Sequence, residues 1–314
     1  MSFMKKRTKK IVFISIAVVL TLVLAGVAGS YFYAQSLLNK IERETIDQSP
    51  DALGIDSDAA KKIEGNKKSK NITNIALFGI DAEEGKAGRS DSIMILSIDE
   101  EHGKVKLASI MRDSYVNIDG RGMDKINHAY AFGGPQLALK TINSNYKLNL
   151  KDFVAVNFSS LPKLVDAVGG VDIDIKDYEL SELKKHGITS TGMQRLNGEQ
   201  ALRYSRIRYV GNGDYERTER HRTILNSVFT KLMKQDKTKI LSTVSEILPM
   251  VKTNLSNNQI MDLTMDVIDI KPSKIEQTRF PADGFCQGKM INGIYYLTFD
   301  QEATNEQLYK FIFE

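Results

Sequence analysis

From Ile11 to Asn39 the chain carries no charged side chain, and Ile11–Leu24 is almost wholly aliphatic. A helix needs about 20 apolar residues to span a bilayer, and Ile11–Tyr33 supplies them. Residues 11–33 are therefore expected to form one transmembrane helix, a signal anchor. Lys5, Lys6, Arg7, Lys9 and Lys10 stand just ahead of it, with no acid among residues 1–10. By the positive-inside rule residues 1–10 become a cytoplasmic tail and everything beyond the helix lies outside the cell. Tyr31 and Tyr33 fall where interfacial aromatics belong. Gly26-Val27-Ala28 would suit signal cleavage, but the length of the apolar stretch favours a retained anchor.

The anchor also explains the charge. Of the 43 bases, five lie in the tail, leaving 38 against 39 acids in the remainder. The basic excess is a property of the tail, so the exported part lacks the electrostatic footprint of a nucleic-acid binder. A single cysteine in 314 residues excludes an internal disulfide framework and any cysteine-based zinc or iron–sulfur site. The four histidines, His102, His128, His186 and His221, are scattered, which argues against a histidine-rich metal centre.

Residues 34–70 are polar, with a late run of Lys61, Lys62, Lys67, Lys68 and Lys70, and read as an extracellular stalk. The folded domain is expected over residues 71–314. It opens with a buried strand from Ile72 to Ile80. Ser92–Ile98 and Val105–Met111, joined by the turn Glu100-Glu101-His102-Gly103, read as a hairpin. Val171–Ile175 alternates like a half-exposed strand. Pro135–Asn145, Tyr215–Lys234, Thr238–Leu248, Asn257–Ile268 and Gln301–Phe313 have helical patterning. A helix opening at Ser159–Pro162 ends at Gly169-Gly170. Helices mixed with buried and hairpin strands predict a three-layer α/β/α sandwich around a mixed central sheet.

That topology gathers Asp81, Arg89, Asp91, Arg112 and Asp113 at one rim of the sheet, where open α/β sheets bind ligands. Carboxylates among arginines suit a divalent cation beside a phosphate. Mg²⁺ takes one or two hard carboxylates plus waters and phosphate oxygens, while arginine grips the remaining phosphate oxygens in a fork. Surface ion pairs are the plain alternative for any two of these residues. A second cluster, Leu196–Arg222, holds Arg203, Arg206, Arg208, Arg217, Arg220 and Arg222 around Gly211-Asn212-Gly213-Asp214. If extended, residues 204, 206 and 208 share a face. In a helix beyond the loop, Arg217 and His221 lie one turn apart, and the helix N-terminus adds its own pull on an anion. Arginines aimed at one point repel each other unless an anion is present, and a pyrophosphate meets that need. The alternative is a solvated basic face paired by Glu199, Glu216 and Glu219. Lys125 offers a further phosphate contact. No P-loop, Gly-x-Ser-x-Gly, His-Glu-x-x-His or dinucleotide fingerprint occurs.

The stretches NIALFGID (74–81), RSD (89–91), SIMRDSYV (109–116), KINHAYAFGG (125–134), LVDAVGGV (164–171) and LNGEQALRYSRIRYVGNGDYERTERHR (196–222) together resemble the LytR–CpsA–Psr family of cell-wall glycopolymer ligases. The resemblance runs over roughly residues 71–230 and more loosely to the end. It implies an extracellular α/β/α domain with a hydrophobic pocket for a polyprenyl chain. Asp81 and Asp91 would hold Mg²⁺ or Mn²⁺, and Arg89, Arg112, Arg206, Arg208 and Arg217 would hold the pyrophosphate. The implied reaction moves a glycopolymer, such as wall teichoic acid, from polyprenyl pyrophosphate to a peptidoglycan sugar hydroxyl and releases polyprenyl phosphate. Asp91 or Asp113 is a candidate for the hydroxyl proton. Two positions depart from the family pattern: Met111 stands where proline is usual, and His221 where glutamine is usual. A polyprenyl-pyrophosphate hydrolase and a non-catalytic membrane lipid sensor remain the alternatives, and nucleic acid is not an expected partner.

Overall fold

The computed structural model describes residues 33–314 except 83–86, 209, 212, 271, 273 and 274. In chain order its elements are β1 (Glu42–Arg43), α1 (Ser57–Gly65), β2 (Ile72–Asp81), β3 (Arg89–Asp99), β4 (Lys104–Ile110), β5 (Tyr115–Ile118), β6 (Gly122–Lys125), α2 (His128–Tyr146) and β7 (Asp152–Asn157). Then follow α3 (Leu161–Ala167), β8 (Val171–Ile175), α4 (Asp177–Leu183), β9 (Gly192–Leu196), α5 (Gly198–Ser205), α6 (Asp214–Met233), α7 (Lys237–Ile247) and β10 (Val251–Thr253). The chain ends with α8 (Asn257–Ile270), β11 (Ile275–Phe280), β12 (Cys286–Ile291), β13 (Ile294–Phe299) and α9 (Gln301–Phe313).

A mixed sheet in the order β1-β10-β7-β2-β3-β4-β11 organises the body. β2, β3 and β4 form an antiparallel meander, β7 runs parallel to β2, and β11 runs parallel to β4. The predicted hairpin is present, closing at Asp99 opposite Lys104. Strand alternation then divides the apolar residues between two faces. Ala76, Phe78, Ile80, Ile93, Ile95, Phe153 and Ala155 point to one side, where they pack against Leu139, Ile142 and Tyr146 of α2 and Leu308, Ile312 and Phe313 of α9. Leu77, Met94, Val154 and Val156 point to the other, toward Leu161, Leu164, Ile224 and Leu225 of the α3 and α6 layer. A second core, with Val165, Val171, Ile173, Leu196, Ala201 and Val228, holds α3, β8, β9, α5 and α6 together. The result is a mixed α/β fold with helices on both faces of a central mixed sheet.

The expected stalk over residues 34–70 is corrected by the structure. Residues 33–38 are helical and belong to a separate unit that ends at Lys40. From Ile41 onward the polar segment is part of the body. β1 pairs with β10 as an edge strand of the main sheet. Leu53 and Ile63 are buried in the α2 and α9 core, and Asn143 Nδ2 donates to the Leu53 carbonyl at 2.9 Å. Few apolar residues suffice when each is buried, which is why the composition misleads. Helix α2 also starts earlier than Pro135. Gly133 and Gly134 break it at φ −150° and φ 60°, so the predicted Pro135–Asn145 is its second half. The basic tail and the anchor, except Tyr33, lie outside the described residues. Among the described residues no helix is long and apolar enough to cross a membrane.

Candidate functional site

The rim begins with an irregularity. Gly79 pairs with Ser92 but Ile80 pairs with Ser90, which leaves Asp91 as the extra residue of a β-bulge. Regular alternation would send Asp91 the same way as Ile93 and Ile95, into the packed face. The bulge re-aims it, and Asp91 lines a polar cavity with Asp81, Arg206, Arg208, Arg217, Phe158, Ser205 and His221. Asp81 ends β2, and Arg206 Nη2 reaches its Oδ1 at 3.4 Å.

The arginines arrive by two routes. A capping box between Asn197 and Gln200 starts α5, and the helix ends at Ser205, releasing Arg206 and Arg208 at its C-terminus. The condition for residues 204, 206 and 208 to share a face, an extended segment, is not met: residues up to Ser205 are helical, and the convergence comes from the chain leaving the helix. Helix α6 begins after Gly213, whose φ of 63° suits glycine. It carries Arg217 and His221 on one face, as their spacing predicts. Arg220 turns away. Its guanidinium is buried against Glu179 at 2.7 Å, Glu216 at 2.8 Å and the Ile207 carbonyl at 3.1 Å, a bracket that fixes α6 to α4.

Beneath the cavity lies a charge network. Arg112 Nη1 donates to Asp91 Oδ2 at 2.6 Å and Arg112 Nη2 to Asp214 Oδ2 at 3.1 Å, while Asn127 Nδ2 donates to Asp91 Oδ1 at 2.9 Å. Burial works against the Arg112 charge, but Asp91, Asp214 and Asp113 raise its pKa above the ordinary guanidinium value. Lys125 Nζ sits 2.7 Å from Asp113 Oδ1. Burial, then a hydrogen bond with Asp214, pushes Asp113 up. Asp214, also opposed by burial, is held down by that bond and by Arg217 and Arg112.

Arg217 is buried, 3.4 Å from Asp214 and 3.9 Å from Asp91. Burial and the neighbouring Arg112 lower its pKa, and its Nε has no partner among the described residues. His221 Nε2 faces the Ser205 carbonyl at 3.2 Å, a contact that requires this nitrogen to donate. Burial, then Arg217, depress its pKa to about 3, so the ring is neutral at ordinary pH.

Of the predicted residues, then, Asp81, Asp91, Arg206, Arg208, Arg217 and His221 share one cavity wall. Arg112, Asp113 and Lys125 lie behind it as counter-charges. Arg89 is exposed opposite Asp81 in the β2–β3 register and lies outside the cavity lining. Sequence reasoning missed the structural parts played by Asp214, Asn127, Ser205 and Phe158. Only Asp214, just after the glycine loop at the start of a helix, carried a readable signal.

Next to the polar cavity, between the sheet and α6, is an apolar one with about 740 Å³ of empty space including its mouth. Leu77, Met94, Val154, Val156, Leu161, Leu164, Ile224 and Leu225 line it, and it shares Phe158, Ser205 and His221 with the polar cavity. Gly79 makes room at the junction: a Cβ there would come within 3.2 Å of the Phe158 ring. Phe158 in turn tilts against His221 with centroids 5.2 Å apart.

The site is a cationic, carboxylate-bearing cavity sharing a wall with an apolar one, set against the central sheet of an α/β fold. The chain belongs to the LytR–CpsA–Psr family: the family described as LytR_cpsA_psr matches residues 30–312. It is 31% identical over 301 residues to the polyisoprenyl-teichoic acid–peptidoglycan teichoic acid transferase TagU of Bacillus cereus, covering 95% of each chain. To the TagU of Enterococcus faecalis it is 32% identical over 314 residues, again 95% of each. The fold matches TagT bound to LIIa-WTA with a TM-score of 0.64 at 26% identity, over 77% of this chain and 91% of that one. It also matches TagT with bound octaprenyl pyrophosphate lipid, with a TM-score of 0.61 at 25% identity over 77% and 91%.

Proposed function

We propose that this chain is a phosphotransferase that moves a glycopolymer from a polyprenyl-pyrophosphate carrier to a sugar hydroxyl of peptidoglycan, at the outer face of the membrane. The observation that carries the reading is the wall shared by the polar and apolar cavities: a pyrophosphate head among Arg206, Arg208 and Arg217 leaves its polyprenyl tail beside Leu77, Met94 and Val154. The names of the relatives and the lipid held by TagT support the same choice of substrate.

In the reaction the acceptor oxygen attacks the phosphorus that bears the glycopolymer. A new P–O bond forms to the acceptor, the bridging P–O bond breaks, and polyprenyl phosphate leaves with that bridging oxygen while the hydroxyl proton is lost to water. A loose transition state makes little demand on a base. Asp91, with one oxygen bonded by Arg112 and the other by Asn127, is poorly placed to be one, and Asp113 lies behind the wall. Catalysis then rests on fixed charge: three arginines meet the phosphoryl oxygens without reorganising during the step, and His221 stays neutral, orienting through Ser205.

Asp81 and Asp91 would hold the divalent cation. Two hard carboxylates fit Mg²⁺, or Mn²⁺ with the same donors, when waters and phosphate oxygens complete the shell. Bound there, the ion would neutralise charge on the transferring group.

The test uses the full chain in detergent with a polyprenyl-pyrophosphate saccharide, with and without Mg²⁺ and a peptidoglycan-derived oligosaccharide. Transfer that needs both additions, and is lost in Asp81→Ala and Arg206→Ala, is expected. Release of saccharide to water at the same rate without acceptor would make the protein a hydrolase, and binding without turnover would make it a sensor.

A further inference from the structure

On the far side of Asp214 from the phosphate cavity lies a second small cavity, with about 490 Å³ of empty space including its mouth. Its walls are Met111, Asp113, Gly213, Asp214, Tyr215, Tyr295 and Leu297. One carboxylate links the two linings. Asp214 is 3.4 Å from Arg217 and 3.9 Å from Arg208, both of which line the phosphate cavity, and it also lines the second one. A molecule in the second cavity therefore lies a single side chain away from the arginines.

The two cavities differ in charge. The first presents three arginines beside Asp81 and Asp91. The second presents two carboxyl groups, and the cations nearest them are already engaged: Arg112 on Asp91, Asp113 and Asp214, and Lys125 on Asp113. An anion would be repelled. The oxygens of two neighbouring carboxyl groups offer the acceptors that adjacent hydroxyls of an uncharged polyol require.

The aromatic side is equally prepared. Tyr295 is 42% exposed, and its ring lies against Gly288 of the facing strand, where a Cβ would meet Tyr295 Cε2 at 2.7 Å and the hydroxyl at 2.9 Å. The glycine lets the ring lie flat on the hairpin. Tyr215 has one face covered by the Arg279 guanidinium, 4.2 Å from its centroid, whereas Lys125 Nζ stands off at 5.9 Å from the Tyr295 centroid, which leaves Tyr295 the more open platform. Burial, then Asp113 and Asp214, raise the Tyr295 pKa, so its hydroxyl stays protonated. Phe285, Met290 and Ile294, exposed on or just before the same hairpin, extend the apolar surface outward.

We propose that this cavity is the acceptor subsite: it seats an uncharged sugar ring of the glycan that receives the transfer, stacked on Tyr295 with its hydroxyls on Asp113 and Asp214. This rests on the transferase reading above. An amphipathic ring with a flat apolar face and a polar edge is what an aromatic floor beside a carboxyl pair recognises.

The experiment titrates chitotetraose into the full chain in detergent without donor, read by ligand-observed NMR, beside transfer kinetics with varied acceptor. Wild type is expected to bind. Tyr295→Ala should weaken binding about tenfold, as loss of an aromatic stack predicts, and raise the acceptor KM by the same factor with the donor KM unchanged. Gly288→Ala keeps the tyrosine but displaces it, and should reproduce the loss; Tyr295→Phe should restore the titration. Failure of wild type to bind, or variants that titrate like wild type, would overturn the subsite. If wild type binds the tetrasaccharide yet transfers nothing, the transferase reading fails while the sugar site stands. If transfer proceeds with an acceptor KM indifferent to Tyr295→Ala, the transferase stands and the subsite fails.

Discussion

The two faces of the central sheet come from the same strands and are packed to opposite ends. On one, Phe78, Phe153, Ile93 and Ile95 interlock with α2 and α9 as a continuous core. On the other, Leu77, Met94, Val154 and Val156 look into empty space beneath α3 and α6. The hydrophobic content of the strands does not distinguish them. What differs is how closely the covering helices approach, and the hollow face is the one whose rim carries Asp81, Asp91 and the arginines. A protein interior normally leaves few voids larger than a water, so the apolar cavity beside the cationic one forgoes dispersion contacts that the filled face makes.

The comparison can be broken at several points. The greatest loss is expected from removing residues 41–65, which takes β1, Leu53 and Ile63 from the filled side. With each buried aliphatic lost costing about 2–5 kcal/mol, a chain starting at residue 66 should be at least about 4 kcal/mol less stable in urea denaturation. A stalk would be removed without loss. Next, Phe153→Ala on the filled face should cost about 3–5 kcal/mol.

On the hollow side, His221 makes the fold acid-sensitive. Its folded pKa, near 3 against an ordinary value of 6.5, means the unfolded chain takes up a proton in that window while the native state does not. Stability contributed by neutral His221 is therefore complete above pH 6.5 and declines as pH falls toward 3, by up to about 1.4 kcal/mol per pH unit. The difference in slope between wild type and His221→Gln isolates this from the carboxylates. A smaller effect is expected from Leu77→Ala, which enlarges an existing cavity: under about 1.5 kcal/mol, below the usual range for a packed leucine. Equal costs for Leu77→Ala and Phe153→Ala would abolish the distinction between the faces. Least of all, Arg206→Ala should change stability by no more than about 0.5 kcal/mol, because its pair with Asp81 is half exposed. It should nevertheless cut transfer at least about 100-fold in a saccharide-release assay, in the range lost with one preorganised charge-stabilising donor.

Much of this was legible in one dimension because it depends on local periodicity and short spacing. The run Ile72–Ile80 had to be a buried strand, the Glu100–Gly103 turn had to fold β3 onto β4, and a four-residue spacing had to put Arg217 and His221 on one helical face. Those constraints brought Asp81, Asp91 and Arg112 to a common rim. The segment 34–70 was misread because composition averages over residues, whereas burial depends on where Leu53 and Ile63 meet α2. Whether 201–208 is extended was open in the sequence, because alternation of arginines alone cannot tell a strand from a chain leaving a helix; the capping box at Asn197 and Gln200 starts the helix.

Sequence by itself determined the elements, the family and the identity of the charged residues, since propensity, patterning and motif spacing act over a few neighbours. Tertiary structure alone decided what each charge does. The bulge that pairs Ile80 with Ser90 turns Asp91 out of the core, and long-range contacts make Arg112 and Lys125 counter-charges while Arg206, Arg208 and Arg217 face the cavity. Burial leaves His221 uncharged. Desolvation and Coulomb energy depend on distances between residues a hundred positions apart, such as Arg112 and Asp214, and those distances exist only once the chain has folded.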